Sequence, residues 1–365
     1  MKLCFVAILL IPTLVFSQYD YQYKNLALEG GGVRGLAYGG ALEVLEQKGI
    51  LSHVERVAGS SAGAIAGLMI SLGYNANEID SILQTLKIQE FNDGKDIFGK
   101  IKRVKKEYGV YKGDKFENWL AELIVRKTGN PNTTFLQLHE LHKKNTDFKD
   151  FYCTGTNVTK QQLEILSWEK WPHMTLKTAV HISGCIPFYF KPVPIDSLGN
   201  EVSLKDTLCK YDLYVDGGTL CNYPINMFDS CRDNGNPLTS EQVIYNPQTL
   251  GLKLERDEQI KALSDGNTAI APYDIKNMKQ YTRAIMNLIM ENINRKSGDL
   301  SNEKGRTIYI SYGDISARVR KISTTEKKLL HDNGVTAASN FLMNLLPGFK
   351  QNLLLCSSPR QKLPL

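Results

Sequence analysis

Ser61 stands at the centre of Gly-Ser-Ser-Ala-Gly, residues 59–63. Only Ser61 in this tract has a glycine two positions away on both sides, Gly59 and Gly63. Small neighbours of this kind let a strand meet a helix at a sharp elbow, with the serine hydroxyl exposed as a nucleophile. Upstream lies a second turn, Gly30, Gly31, Gly32, Val33, Arg34 and Gly35. Without Cβ atoms, such a loop can turn several backbone N–H groups toward one anion. Far downstream, Asp216 follows the apolar run Leu213-Tyr214-Val215 and precedes Gly217 and Gly218. A nucleophile, a set of oxyanion donors and a carboxylate together describe acyl transfer.

Each element has a plainer use. Residues 30–35 also match G-x-G-x-x-G, the dinucleotide fingerprint. That reading wants an acidic residue at the end of the second strand. Glu55 is near, but the strand runs on through residues 56–58 into the serine turn. Ser61 could be a simple helix N-cap, and Asp216-Gly217 a type I′ hairpin turn. A serine also needs a base. Of the six histidines, His53, His139, His142, His173, His181 and His331, the last could fill the slot of a Ser-Asp-His triad, and His173 and His181 flank a helical stretch without a strand-end setting. His331 lies in Lys-Lys-Leu-Leu-His-Asp-Asn, which reads as an exposed helix. Asp216 is the better partner, but an ordinary aspartate with a pKa near ~3.9 is a poor base at neutral pH. Burial against apolar neighbours must raise it.

The elements that position these residues alternate in type. Residues 25–29 read as a short buried strand, and 36–48 as a helix with Leu42 and Leu45 on one face and Gly49 as its stop. Residues 56–58 form a second strand, then 62–72 a helix ended by Gly73. This βαβα order predicts a parallel sheet covered by helices. Residues 74–150 are more helical and more polar, with Ile79, Ile82, Leu83 and Leu86 at helical spacing. Strand-like runs return at 151–158, 163–166, 213–215, 249–254 and 307–312, and long helical patterns cover 274–297 and 324–347. No repeat or low-complexity linker divides the chain. One α/β domain with a helical insertion fits best.

The 365 residues carry a formal net charge of +6, too mild for a nucleic-acid footprint. Lys2 is followed by an apolar stretch from residue 3 to 16, interrupted only by Pro12 and Thr13. Val15 and Ser17 are small enough for a cleavage site after Ser17, so residues 1–17 read as a secretory signal peptide. The stretch is shorter than the ~20 residues that span a bilayer. Export is expected, to periplasm, outer membrane surface or medium. Cys209, Cys221 and Cys231 are close enough in sequence for one pair to bridge. No His/Cys spacing resembles a zinc site, and neither a metal nor a cofactor is expected. Lys100, Lys102, Arg103, Lys105 and Lys106 form a basic cluster, either a solvated helix face or a surface for anionic lipid headgroups. The apolar run 341–346 reads as helix packing.

These motifs resemble the patatin-like phospholipases. That family has a G-G-G-x-[RK]-G oxyanion loop, a G-x-S-x-G elbow and a D-G-[GA] turn in the order seen here, and uses a Ser-Asp pair without histidine. Thr178-Ala179-Val180-His181-Ile182-Ser183-Gly184-Cys185-Ile186-Pro187 resembles its helix before an apolar proline turn. Asn222-Tyr223-Pro224 matches its usual Asn-x-Pro. The likeness covers residues 24–230; the remainder resembles bacterial, secreted members. His181 stands where the family often has arginine, and Ser60 where it often has threonine. The resemblance implies an α/β fold, a three-layer α/β/α sandwich with a mainly parallel central sheet. Residues 18–240 would form the catalytic domain, with an insertion at 74–150, and 241–365 would pack on it. It also implies hydrolysis of a phospholipid or lysophospholipid ester at a membrane surface. Ser61 would attack, Asp216 accept the proton, and the N–H groups of Gly31, Gly32 and Val33 hold the oxyanion, with Arg34 nearby. A nicotinamide or flavin enzyme, an acyltransferase and a non-catalytic lipid-binding protein are the alternatives.

Overall fold

A computed structural model describes residues 23–94, 97–206, 208–233, 235–240, 242–295 and 303–345. The expected leader, residues 1–17, and the end of the apolar run at 346 lie outside the described residues. In chain order the elements are β1 (Asn25–Leu28), α1 (Tyr38–Gln47), α2 (Ile50–His53), β2 (Arg56–Gly59), α3 (Ala62–Ser71), α4 (Ala76–Thr85), α5 (Ile97–Glu107), β3 (Gly109–Tyr111), α6 (Asp114–Thr128), α7 (Phe135–Lys144), β4 (Asp150–Asn157) and β5 (Gln162–Leu166). They continue with α8 (Leu176–Ser183), β6 (Phe188–Phe190), β7 (Val193–Asp196), β8 (Tyr211–Asp216), β9 (Ser230–Cys231), β10 (Val243–Ile244), β11 (Thr249–Glu255), α9 (Asp257–Ser264), α10 (Met278–Arg295), β12 (Thr307–Ser311) and α11 (Thr324–Leu345).

The main sheet has the order β12-β11-β1-β2-β4-β8-β7, with β5 also on β4. The five strands from β12 to β4 are parallel. Their residues are buried on both faces, which is why they read as short apolar runs rather than as alternating patterns. β2 stops at Gly59, opposite Cys153, whereas β4 continues to Asn157. β8 pairs antiparallel with that overhang, Asp216 opposite Gly155. β7 pairs antiparallel with β8 at the edge, where Pro194 is tolerated.

The two faces of the sheet are covered differently. Leu26, Leu28, Val57, Phe151, Cys153, Leu250 and Leu252 join the large core formed with α1, α3 and α11. On the other face Ala27 meets Tyr223 and Ile225, and Ala58 and Tyr152 meet Cys221, Met227 and Phe228. There the cover is the irregular chain after β8, together with α10, whose Glu291 and Asn294 reach Lys253 and Glu29. The residues beyond 240 thus complete the same sheet, β11 lying directly beside β1.

Local signals explain the helices that surround the site. Asn75 and Glu78 form a capping box at the start of α4, and Thr134 and Gln137 do the same for α7. The segment 74–149 supplies α4 to α7 and only the short β3, which pairs with β6 outside the main sheet. The sequence reading did not mark β3, β6 or β7 as strands. The disulfide it allowed is not formed: Cys209, Cys221 and Cys231 are all free thiols. Cys221 is buried in the second core cluster. Among the described residues no helix is long and apolar enough to cross a membrane.

Candidate active site

Ser61 occupies the joint between β2 and α3 with φ +50° and ψ −118°. A side-chain-bearing residue avoids this conformation, which costs on the order of 1–3 kcal/mol and persists only where neighbours enforce it. Here they do. The Ser61 N–H donates to Ser183 Oγ at the end of α8, 3.0 Å away. The buried Ser60 hydroxyl lies 2.5 Å from Thr154 Oγ1 and donates to the Cys221 carbonyl at 2.8 Å. Gly63 lets α3 approach β1, because a Cβ there would lie 2.3 Å from the Leu28 carbonyl oxygen.

Asp216 ends β8 and meets this elbow. Ser61 Oγ donates to Asp216 Oδ2 at 2.7 Å. The other carboxylate oxygen accepts the Gly218 N–H at 2.7 Å, and the Asp216 N–H donates to the Cys185 carbonyl at 2.8 Å. Residues after Asp216 enter a 3-10 turn, Gly217–Thr219, so the Asp-Gly pair is not a hairpin turn. Burial pushes the Asp216 carboxyl up to about 6, against the opposing hydrogen bonds from Ser61 and Gly218. Among the described residues no histidine hydrogen-bonds to either residue. His139 stacks on Trp168 and meets Asp150, and His331 lies near Glu43 and Asp332.

The glycine loop lies beside Ser61, since a Cβ on Gly30 would sit 3.1 Å from Ser61 Cβ. Gly32 takes φ +56°, the left-handed region that favours glycine. The loop differs from expectation at two residues. The Val33 N–H is directed to the Ala317 carbonyl at 3.4 Å. The Arg34 guanidinium donates through Nε to the Ile315 carbonyl at 2.7 Å and lies 3.4 Å from the centre of the Tyr312 ring. Both are drawn to the chain after β12, because that chain offers backbone carbonyls and an aromatic face within reach. Among the described residues the Gly31 and Gly32 N–H groups have no hydrogen-bond partner. From below, Asn222 holds the loop and also binds Glu29 Oε1 at 3.2 Å. Glu29 is buried and pushed up to about 8, burial being the main cause.

Ser61 and Gly32 open on one apolar pocket, enclosing about 670 Å³ with its mouth included. Its walls are Leu36 and Ile65 beside the site, Leu83, Leu86, Ile88 and Phe91 from α4 and the turn after it, Phe116 from α6, Ile186 and Phe190 after α8, and Val319. Most of the lining therefore comes from segments that carry no motif. Ser183 and Thr154 were likewise missed as supports. The Ile-Ser-Gly-Cys tract was their nearest signal in sequence.

Comparison with known proteins agrees with this architecture. The family model "Patatin-like phospholipase" matches residues 26–229, more than half of the chain. An uncharacterized protein of Acanthamoeba polyphaga mimivirus is 27% identical over 329 residues, covering 90% of this chain and 96% of its own. A probable lipid hydrolase of Invertebrate iridescent virus 6 is 26% identical over 230 residues, covering 63% of this chain and 71% of its own. The crystal structure of VipD from Legionella pneumophila superposes with a TM-score of 0.53 at 16% identity, over 88% of this chain and 67% of that one, a likeness of fold. With a matching family model and a sheet of this fold, the chain belongs to the patatin-like phospholipase family.

Proposed function

We propose that the protein hydrolyses carboxylic esters of phospholipids or lysophospholipids through Ser61 and Asp216. The observation that carries this reading is the 2.7 Å hydrogen bond from Ser61 Oγ to a buried carboxylate, placed at an apolar pocket. Asp216 accepts the Ser61 proton as Oγ attacks the ester carbonyl. The Gly31 and Gly32 N–H groups receive the developing oxyanion, with the positive N-terminal end of α3 beneath it. Val33 and Arg34 serve this step by fixing the loop to the chain at 312–317. The acyl chain lies in the apolar pocket, and Asp216 returns the proton to the departing alcohol. Water, activated by the same carboxylate, then releases the fatty acid.

An assembled lipid reaches such a pocket at a surface. α5 exposes Ile101 and Val104 together with Lys102, Lys105 and Lys106, and Tyr108 just after it is exposed too. Arg103, counted in that basic cluster from sequence, instead turns inward and donates to the Val110 carbonyl at 3.0 Å. β6 presents Phe188, 80% exposed, two residues before Phe190 of the pocket wall. This mixed basic and apolar face suits transient contact with an anionic bilayer. In the same reading, residues 1–17 export the protein, so the reaction takes place outside the cytoplasm.

A panel of phospholipids, lysophospholipids and short acyl esters tests the reading, with Ser61→Ala as control. Loss of fatty-acid release in the variant supports it, and retained release overturns it. Identification of the products separates hydrolysis from transfer to another alcohol.

A further inference from the structure

We propose that Glu117, His181 and Glu201 form a binding site for a divalent transition-metal ion of the zinc class. The three residues come from separate elements: Glu117 from α6, His181 from α8, and Glu201 from the chain that bridges back to Ile195 of β7. One ligand atom from each lies within 4.8 Å of the other two. Tetrahedral zinc with ligands at about 2.0–2.2 Å needs ligand atoms roughly 3.5 Å apart. Coordination would require the two glutamate side chains to rotate inward by that difference.

His181 is the observation that points to an ion. The ring is 1% exposed, and both of its nitrogens lack a hydrogen-bond partner among the described residues. A buried polar group without a partner is rare and calls for one. Nδ1 is aimed into the cluster, 3.9 Å from Glu201 Oε2. Nε2 faces Gly113, where a Cβ would lie 2.4 Å from it, so that side is closed. A neutral imidazole is the form that ligates metal. A cation between the two carboxylates would offset their mutual repulsion. Lys177 pairs with Glu117 at 3.3 Å and Lys191 with Asp114 at 3.7 Å, and neither hydrogen-bonds to His181. One imidazole and two carboxylates are the donor set of borderline ions such as Zn²⁺.

The ion would act on position, not on the reacting atoms. α8 carries His181 and ends at Ser183, which holds the Ser61 N–H; Cys185, just beyond, holds the Asp216 N–H. Phe116, beside Glu117, lines the pocket. A metal joining α6, α8 and the chain at 201 would tie the pocket wall to the supports of both Ser61 and Asp216.

The test uses the untagged full chain, stripped with EDTA and titrated with ZnCl₂ by calorimetry and thermal unfolding. One equivalent should bind, and Tm should rise. Glu117→Gln and Glu201→Gln, at partly exposed positions, should keep the metal-free Tm and weaken binding at least about tenfold. Co²⁺ in place of Zn²⁺ should give the visible absorption of a low-coordinate site, lost in the same variants. No saturable binding up to about 100 µM Zn²⁺ overturns the proposal. So does binding that both variants leave unchanged, because the ion would then sit elsewhere.

Discussion

Gly30 and Asn222 grip each other twice. The Gly30 N–H donates to the Asn222 carbonyl at 2.9 Å, and Asn222 Nδ2 donates back to the Gly30 carbonyl at 3.0 Å. The loop that would receive the oxyanion is thus fastened to the chain six residues beyond Asp216. Asn222→Ala removes the side-chain half of this link and leaves Ser61 and Asp216 untouched. Turnover of a soluble acyl ester should fall by about 10- to 100-fold, with covalent labelling of Ser61 by a fluorophosphonate slowed in parallel. Unchanged turnover would mean that the loop holds its shape without Asn222.

The pH dependence follows from Asp216. Its folded-state carboxyl, at about 6, lies above the ordinary 3.8 because it is buried. In the proposed mechanism turnover requires the ionised form, so it should rise with pH through about 6 and level off above. Stability runs the other way. Between pH 4 and 6 the native state holds a proton that the unfolded state has released, so stability falls across that window and is level above it. Asp216→Asn should therefore unfold at higher temperature near neutral pH, by a gain of at most about 3 kcal/mol, while turnover is lost. Thermal scans of the two proteins on either side of pH 6 measure this.

Lys253 is a buried cation among buried acids, 3.3 Å from Glu255 and 3.6 Å from Glu291. Burial alone would lower its pKa, yet Glu255, Glu291 and Glu29 hold it well above the ordinary value. Lys253→Met keeps the volume and removes the cation closest to Glu255, leaving Arg295 3.7 Å from Glu291. The cost should be about 3 kcal/mol in urea unfolding. A neutral result would show that the acids become protonated without penalty.

The pocket should set chain-length preference. Leu86, at the end of α4, is half-buried and lines it. Leu86→Trp fills volume that a long acyl chain would need. Its kcat/KM should drop at least about tenfold for long-chain esters and little for short ones, as steric exclusion predicts. An equal loss across the series would place the acyl chain elsewhere.

Much of this arrangement was legible in the residues because it depends on local backbone chemistry. Gly59, Ser61 and Gly63 announce an elbow, since no larger residue fits against the Leu28 carbonyl at position 63. The apolar runs at β1, β2, β4, β11 and β12 mark the sheet because those strands are buried on both faces. What escaped depends on distant partners. β3 and β6 are three residues each and exist only through one another. The Val33 N–H was expected to hold the oxyanion with Arg34 nearby, but the Val33 N–H meets the Ala317 carbonyl and the Arg34 guanidinium the Ile315 carbonyl, both far along the chain. The group Glu117, His181 and Glu201 has no spacing to recognise, because the fold alone brings it together.

The overhang of β4 past the end of β2 has a further consequence. β8 can dock only on that extra length, running against the parallel strands, and only then does Asp216 come level with Ser61. A chain that ends before residue 211 has the serine elbow but neither Asp216 nor Asn222, the residue that grips the glycine loop. The meeting of Ser61 with Asp216 is therefore an attribute of the completed topology and of no N-terminal fragment.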